Sequence, residues 1–261
     1  MQLPRSAAVA SSLTVLDECG STNTELVARA AGLDDFAVLV TDNQTSGRGR
    51  LGREWTAPPG RMIATSVLLR PVVPGGRALG IEHYGWLPLI AGLAMTRALA
   101  PIVPSHRVSL KWPNDVQVDG LKVCGILAEL LGAGDAVVMG AGINLTFETA
   151  ELPVPTATSL SLNDPIIPPG VLADAALSGY LAELRLLLDE LLRHGPGNAQ
   201  ILMGELCSTF GRRVRVEVPG GDALFGTAVD VDADGRLRVR VSEDGSIQAV
   251  AAGDVTHLRY E

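Results

Sequence analysis

Two periodicities run along the chain and divide it. Short apolar runs bounded by glycine, proline or aspartate read as strands, and stripes repeating every three to four residues read as helices. Residues 15–17 close a first strand, 36–41 (FAVLVT) form a buried one, and 61–69 return as another. Residues 108–111, 115–118, 124–131 and 136–143 follow as successive strands, joined like hairpins by Asp119 and Gly120 and by a turn over 132–135. Between these runs, Thr22 and Glu25 have capping-box spacing ahead of a short helix over 25–31 that Gly32 closes. Residues 86–100 read as an apolar helix stopped by Pro101. Pro168 and Pro169 stand where a helix can start, and Leu177, Leu181, Leu184, Leu188 and Leu191 mark its buried stripe. His194, Gly195 and Pro196 end it, and a further helix runs to about residue 210. From Gly211 the texture changes: RRVRVEV, FGTAVDV, LRVRV and QAVAAGDV alternate apolar and polar residues around turns, which predicts four or five short strands in a small barrel. The pattern as a whole predicts an α+β fold. A mixed, largely antiparallel sheet with flanking helices occupies 1–208, and a small β-barrel occupies 209–261.

Composition narrows the chemistry. The chain has 261 residues, 47% of them hydrophobic and 19% charged, which is ample for a packed core. Its net charge of -8 excludes a general nucleic-acid binder, whose footprint would be basic. Cys19, Cys124 and Cys207 are odd in number and far apart, and this fits a reducing cytoplasm better than a disulfide framework. The histidines are scattered, and no Cys/His spacing resembles a metal site, so no protein metal ligand is expected. The first twenty residues do not read as a signal peptide, and no apolar run is long enough to predict a membrane span. One count is more pointed. Of the 21 basic residues only two are lysines, Lys111 and Lys122, and both flank one short motif. An Arg-favouring base composition explains the scarcity but not the placement. Those two positions call for a compact ammonium rather than a planar fork.

Residues 47–52, GRGRLG, follow a predicted strand and spell the glycine fingerprint of dinucleotide folds. That fingerprint needs a helix immediately afterwards, and Thr56-Ala57-Pro58-Pro59-Gly60 cannot supply one. Charge gives a better account. Arg48, Arg50, Arg53 and Arg61 stand against Glu54 alone, a local +3 in an acidic chain. A cationic loop rich in glycine can stay mobile, then close around a compact anion. The second cluster is LKWPNDVQVDGLKVCGILAE, residues 110–129. Pro113 interrupts a strand, so Lys111, Asn114 and Asp115 can turn toward a cleft; a hairpin at Asp119 brings Lys122 back near Lys111, and Gly125 leaves room for a ligand. The competing account is an ordinary hairpin with surface lysines.

Taken together, Ser21-Thr22-Asn23, Gln44 with GRGRLGREW (47–55), KWPNDV (111–116), LKVCGILAE (121–129) and GAGINL (140–145) resemble the biotin protein ligases, also called biotin–[acetyl-CoA-carboxylase] ligases. The resemblance spans residues 13–260 and implies a class II synthetase-like catalytic domain with an SH3-like C-terminal barrel. It implies an adenylation of biotin by ATP, then transfer to a lysine of a biotin carboxyl carrier domain, with Mg²⁺ offsetting triphosphate charge. It places Arg48 and Lys122 at the junction of carboxylate and phosphate, has Arg50 close the loop, and assigns Ser21, Thr22 and Gln44 to the ureido ring of biotin. On the same resemblance Asn23, Gly47 and Gly125 belong to the biotin site, and Arg53, Trp55, Lys111, Asn114 and Asn144 to the ATP site. Asp115 and Lys111 join the catalytic set with their roles unassigned, and Gly140 goes with Asn144 on the nucleotide side.

Two departures bear on function. Ser21 falls too near the N-terminus for a preceding operator-binding helix-turn-helix, so a short form without DNA binding is expected. Cys124 stands at a small-residue position, where related octanoyltransferases use a cysteine nucleophile, yet an apolar-flanked cysteine is usually inert packing. A lipoate or octanoate ligase or transferase, and a biotin-binding module without turnover, remain as alternatives.

Overall fold

A computed structural model of the chain describes residues 1–132, 134–163, 167–217, 222–251 and 254–257. Seven strands form the larger sheet: β1 (Ser12–Val15), β2 (Ala37–Thr41), β3 (Met62–Leu69), β4 (Val108–Lys111), β5 (Asp115–Val118), β6 (Leu121–Leu130) and β7 (Val137–Asn144). Their order is β1-β2-β3-β7-β6-β5-β4. Only β1 and β2 run parallel; the other neighbours are antiparallel, as the short connections require. Asp119 and Gly120 both adopt positive φ (49° and 85°) in the two-residue turn between β5 and β6, matching the strand twist there.

Strand alternation gives the sheet two different faces. In β3, Ile63, Val67 and Leu69 face one way and Met62, Ala64, Ser66 and Leu68 the other; in β7, Val137, Met139, Ala141 and Ile143 join the first group. The first face packs against α2 (Trp86–Leu99) and α3 (Pro169–His194) and carries the main core. α2 is buried all round because it lies between the sheet and α3, which explains why its sequence is apolar on every side. The opposite face carries the short helix α1 (Thr22–Arg29), whose Leu26 packs on Leu39, Leu68 and Val138. The rest of that face is left for a cleft.

After α4 (Gly197–Leu206), five strands build a second, antiparallel sheet: β8 (Arg213–Glu217), β9 (Leu224–Val231), β10 (Leu237–Val241), β11 (Ile247–Val250) and β12 (Asp254–His257), in the order β11-β10-β9-β8-β12. This is the small barrel-like unit expected from the alternation, with five strands because the segment QAVAAGDV contributes to two of them. The helix expected over 25–31 also starts earlier. Thr22 is its first residue and Ser21 stands at the N-cap with no side-chain cap bond, so no capping box forms; Glu25 pairs with Arg29 instead, at 3.0 Å. The helix after Pro196 ends at Leu206, short of residue 210.

Candidate active site

The cleft floor is made by register. Ala64 of β3 lies opposite Gly142 of β7, which lies opposite Gly125 of β6, which lies opposite Asp115 of β5. These residues form a row across four strands with almost no side-chain bulk at its centre. The indole of Trp55 fills that space: a β-carbon at Gly142 would come within 2.5 Å of the ring, and one at Gly125 within 3.1 Å. A bulge between Lys122 and Cys124 sets the second feature. Residues three apart on a regular strand face opposite ways, and the extra residue puts Lys122 on the same side as Gly125. The result is an open cleft on this face of the sheet, the kind of concave site that small molecules occupy.

Four cations and two carboxylates line it: Arg48, Arg50, Arg53 and Lys122 against Glu54 and Asp115. In a chain of net charge -8 this local excess of positive charge favours anionic ligands. Lys122 Nζ lies 2.6 Å from Asp115 Oδ1 and 5.4 Å from the centre of the Trp55 ring. Arg50 donates to Asn114 Oδ1 (3.1 Å), and Asn114 donates through Nδ2 to the Ile126 carbonyl (2.8 Å). Arg48 donates from Nη2 to Thr24 Oγ1 (3.0 Å) and to Glu129 Oε2 (2.8 Å). The Gly/Arg segment carrying these arginines is a short ribbon, Gly47–Arg48 against Glu54–Trp55, closed by a turn at Arg50–Gly52. The long helix that a dinucleotide fingerprint requires does not follow it.

The end of the cleft beside α1 is uncharged and polar. The Thr22 amide donates to Gln44 Oε1 (2.9 Å), which satisfies one of the free donors at the helix start. Ser66 Oγ lies 2.8 Å from Thr22 Oγ1 and 2.6 Å from Asn23 Oδ1, and Asn23 Nδ2 donates to the Leu127 carbonyl (3.2 Å). Gly140 gives the Asn23 amide its room, and Gly47 does the same for the Gln44 amide and the Trp55 carbonyl; a β-carbon at either would collide.

Ser21, Thr22, Asn23, Gln44, Arg48, Arg50, Arg53, Trp55, Asn114, Asp115, Lys122 and Gly125 are therefore gathered on one cleft. Three expected residues are not on its wall. Lys111, opposite Asp115, shares the face but sits one strand further out, on the edge strand β4. Asn144 is buried and donates to the Thr158 carbonyl (2.9 Å), fastening the segment whose residues 156 and 158 bond the Lys122 backbone. Gly47 lies at the back of the loop, in a second hollow that runs under residues 45–56 to Leu127 and Glu129. Gly140 sits at the α1 end of the cleft, against Asn23, away from Asn144. Thr22 does not cap α1 through its side chain. Cys124 faces the core, and burial pushes its thiol far above the ordinary range, so it has none of the character of a nucleophile. Thr24, Glu54, Ser66, Glu129 and Gly142 are the contributors that sequence reasoning passed over.

Residues 18–144 match the biotin/lipoate A/B protein ligase family and residues 209–258 the biotin protein ligase C-terminal domain. The chain is 42% identical over 254 residues to a biotin–[acetyl-CoA-carboxylase] ligase of Mycobacterium tuberculosis, an alignment covering 95% of this chain and 89% of that protein. It is 30% identical over 248 residues to the bifunctional ligase/repressor BirA of Escherichia coli, covering 94% of this chain and 74% of that one. Among solved structures it is similar to the biotin protein ligase from Aquifex aeolicus in complex with biotin and ATP, with a TM-score of 0.78, 28% identity, and coverage of 96% of this chain and 100% of that one. With a cleft of this chemistry and relatives that match along nearly its whole length, the chain belongs to the biotin protein ligase family.

Proposed function

We propose that this protein is an ATP-dependent biotin protein ligase whose substrates meet in the cleft on the α1 face of the sheet. The observation that carries this reading is the polarity of the cleft, with neutral amide and hydroxyl groups at one end and Arg48, Arg50, Arg53 and Lys122 elsewhere on its wall. Biotin has the matching form, a ureido ring joined by an aliphatic arm to a carboxylate. In the first half-reaction a carboxylate oxygen attacks the α-phosphorus of ATP, the bond to the bridging oxygen breaks, and pyrophosphate leaves with that electron pair. The carboxylate needs no base at neutral pH. The work left to the protein is to bring two anions together and stabilise charge at phosphorus. Lys122, held by Asp115, and the arginines of the loop are placed for that. In the second half-reaction a neutral lysine amine of the acceptor attacks the carbonyl of the mixed anhydride, and AMP departs. The acceptor we propose is a biotin carboxyl carrier domain.

Among the described residues no three His, Cys, Asp or Glu side chains are grouped as a metal site. The carboxylates of the cleft are Glu54 and Asp115, a donor set that suits a magnesium ion arriving with the triphosphate and keeping water and phosphate oxygens as its other ligands. Either carboxylate would hold it, and its contribution would be to offset phosphate charge.

The family model that matches the catalytic region is shared by biotin and lipoate ligases, so the test must separate them. ATP–pyrophosphate exchange is expected with biotin and not with lipoate or octanoate at equal concentration. Exchange supported equally by octanoate would refute the assignment. Arg50→Gly, which frees the loop from Asn114, is expected to release adenylate into solution and label bystander lysines; unchanged retention of the adenylate would show that the loop is no lid.

A further inference from the structure

We infer that Ser66 and Asn23 form a relay that sets the hydrogen-bond polarity of the neutral end of the cleft, and so select a ligand presenting N–H beside C=O. This rests on the biotin reading above and extends it to two residues that need not touch the ligand.

The argument starts from backbone groups, whose donor or acceptor character cannot be reversed. The Leu127 carbonyl only accepts, so the Asn23 side chain must present its NH₂ to it (3.2 Å). The Asn23 carbonyl oxygen then faces Ser66 Oγ at 2.6 Å and needs a donor, which fixes the single Ser66 hydrogen on that bond. Ser66 Oγ is left as an acceptor toward Thr22 Oγ1, 2.8 Å away, and among the described residues the other partner of that hydroxyl is Gln44 Oε1 at 3.3 Å, also an acceptor. Whichever it takes, the Thr22 hydrogen is committed inside the protein. Thr22 Oγ1 therefore offers the cleft lone pairs and no hydrogen. A second relay runs the other way. The Thr22 amide only donates, so Gln44 must turn Oε1 toward it (2.9 Å), leaving its NH₂ as the group to be offered to a ligand.

The two relays end side by side, an acceptor at Thr22 and a donor at Gln44. A urea or amide edge carries the complementary pair. All four side chains are at most 9% exposed, so a wrongly polarised ligand cannot be rescued by water, and the mismatch is felt in full. Ser66 is a positioning residue here: it is fully buried behind Thr22 and Asn23 and is absent from the cleft wall.

The test uses the whole protein in biotin-dependent ATP–pyrophosphate exchange, comparing the unaltered chain with Ser66→Ala and Ser66→Cys. A second arm replaces biotin by cyclic carbamates in which one ureido N–H, at either position, becomes a ring oxygen. Ser66→Ala is expected to raise the KM for biotin about tenfold while kcat stays within about twofold, with Ser66→Cys, a weak donor, falling between. One carbamate is expected to lose at least about tenfold in kcat/KM in the unaltered protein but about threefold or less in Ser66→Ala, where the Thr22 hydroxyl loses its 2.8 Å partner, keeps only the longer 3.3 Å one to Gln44 and can turn to donate to the ligand. An unchanged KM for biotin in Ser66→Ala, or equal carbamate penalties in both proteins, overturns the relay. If Ser66→Ala does not fold, the same two criteria apply to Ser66→Cys. No exchange at all from the unaltered protein overturns the ligase reading instead, so the two failures are distinguishable.

Discussion

Among the described residues, Arg48 donates from one nitrogen, Nη2, to both Thr24 and Glu129. Both paired edges of a guanidinium, Nε with Nη2 and Nη1 with Nη2, include that nitrogen, so a paired contact with a carboxylate or phosphate requires Arg48 to give up Thr24 or Glu129. Glu129 lies four residues beyond Gly125 on β6, about 13 Å along the strand, so it holds Arg48 well away from the Asp115–Lys122 pair. A half-exposed pair such as Arg48–Glu129 contributes only about 0–1 kcal/mol to stability. Glu129→Gln is therefore expected to leave the melting temperature nearly unchanged while lowering kcat/KM in the exchange assay about tenfold; a fall in stability with exchange intact would make Glu129 part of the scaffold only. Gly142→Ala makes the converse case. Its new methyl would press on the Trp55 ring, at a cost of about 1–3 kcal/mol unless the indole moves, and both the melting temperature and the tryptophan emission report it. Arg48 and Lys122 stood out in the sequence because their charge is telling where they stand, whereas Gln44 and Thr22 entered through the family resemblance. Ser66, Thr24 and Gly142 did not stand out, because they acquire their partners from cross-strand register and helix placement. Glu129 sat in plain view at the end of LKVCGILAE, but nothing along the chain connects it to an arginine 81 residues earlier.

Elements show the same division. Long strands and helices were readable from periodicity because burial on one face dictates it. Element ends were not, because tertiary partners can replace local ones. At α1 the Gln44 side chain, 22 residues away in sequence, takes the amide that a local cap would otherwise serve, so the capping-box spacing of Thr22 and Glu25 goes unused. The bulge in β6 likewise breaks the alternation on which strand reading depends, yet without it Lys122 would face the core. Two side chains of α3 hold the N-terminal segment: Arg185 donates to the Val9 carbonyl (2.9 Å), and Asp174 takes the bonds nearer the start. Asp174, 5% exposed, accepts the amides of Arg5 (3.0 Å) and Ser6 (2.9 Å) and the Ser6 hydroxyl (2.7 Å). Burial alone raises its pKa, but the bonds from the Ser6 side chain and the two amides outweigh it and hold the carboxyl below its usual range. A folded pKa below the unfolded one gives stability that is complete above about pH 4 and is lost as pH falls through the folded value. Asp174→Asn, which cannot accept all three bonds, is expected to cost on the order of 1–3 kcal/mol at neutral pH and to flatten the acid limb of the stability profile. Hydrogen exchange at Arg5 and Ser6 localises the effect, and protection there equal to that of the unaltered chain would disprove the anchor.

At the scale of the whole molecule, the change of texture at Gly211 reads as a boundary, but the packing runs across it. Val214, Val216, Leu237 and Val239 of the small sheet belong to the same core cluster as α2, α3 and the large sheet. Trp86, the first residue of α2, donates its indole N–H to the Ala233 carbonyl (2.7 Å), and Gly85 before it has no space for a side chain because the Asp234 carbonyl lies against it. On the other side, Thr209 accepts the Trp112 amide (3.0 Å), and the Ser208 amide donates to the Leu110 carbonyl (2.8 Å). These last two bonds end on β4 and on the KWPND turn, whose Asn114 holds Arg50 and whose Asp115 holds Lys122. The small sheet thus shares its hydrophobic core with the large one, and Ser208 and Thr209, just ahead of it, bond the segment that positions the cleft cations. Cooperative units follow shared burial rather than sequence texture. We therefore expect one calorimetric transition whose van't Hoff and calorimetric enthalpies agree. Trp86→Phe, which keeps most of the apolar area but leaves the Ala233 carbonyl unpaired, should lower that single transition by an amount corresponding to roughly 1–2 kcal/mol. It should also raise adenylate leakage, because the disturbance is transmitted through Thr209 and Trp112 to the turn that tethers Arg50. Two resolved transitions, with Trp86→Phe moving only one of them and leakage unchanged, would show instead that the two sheets are independent bodies and that the cleft cations are positioned by the large sheet alone.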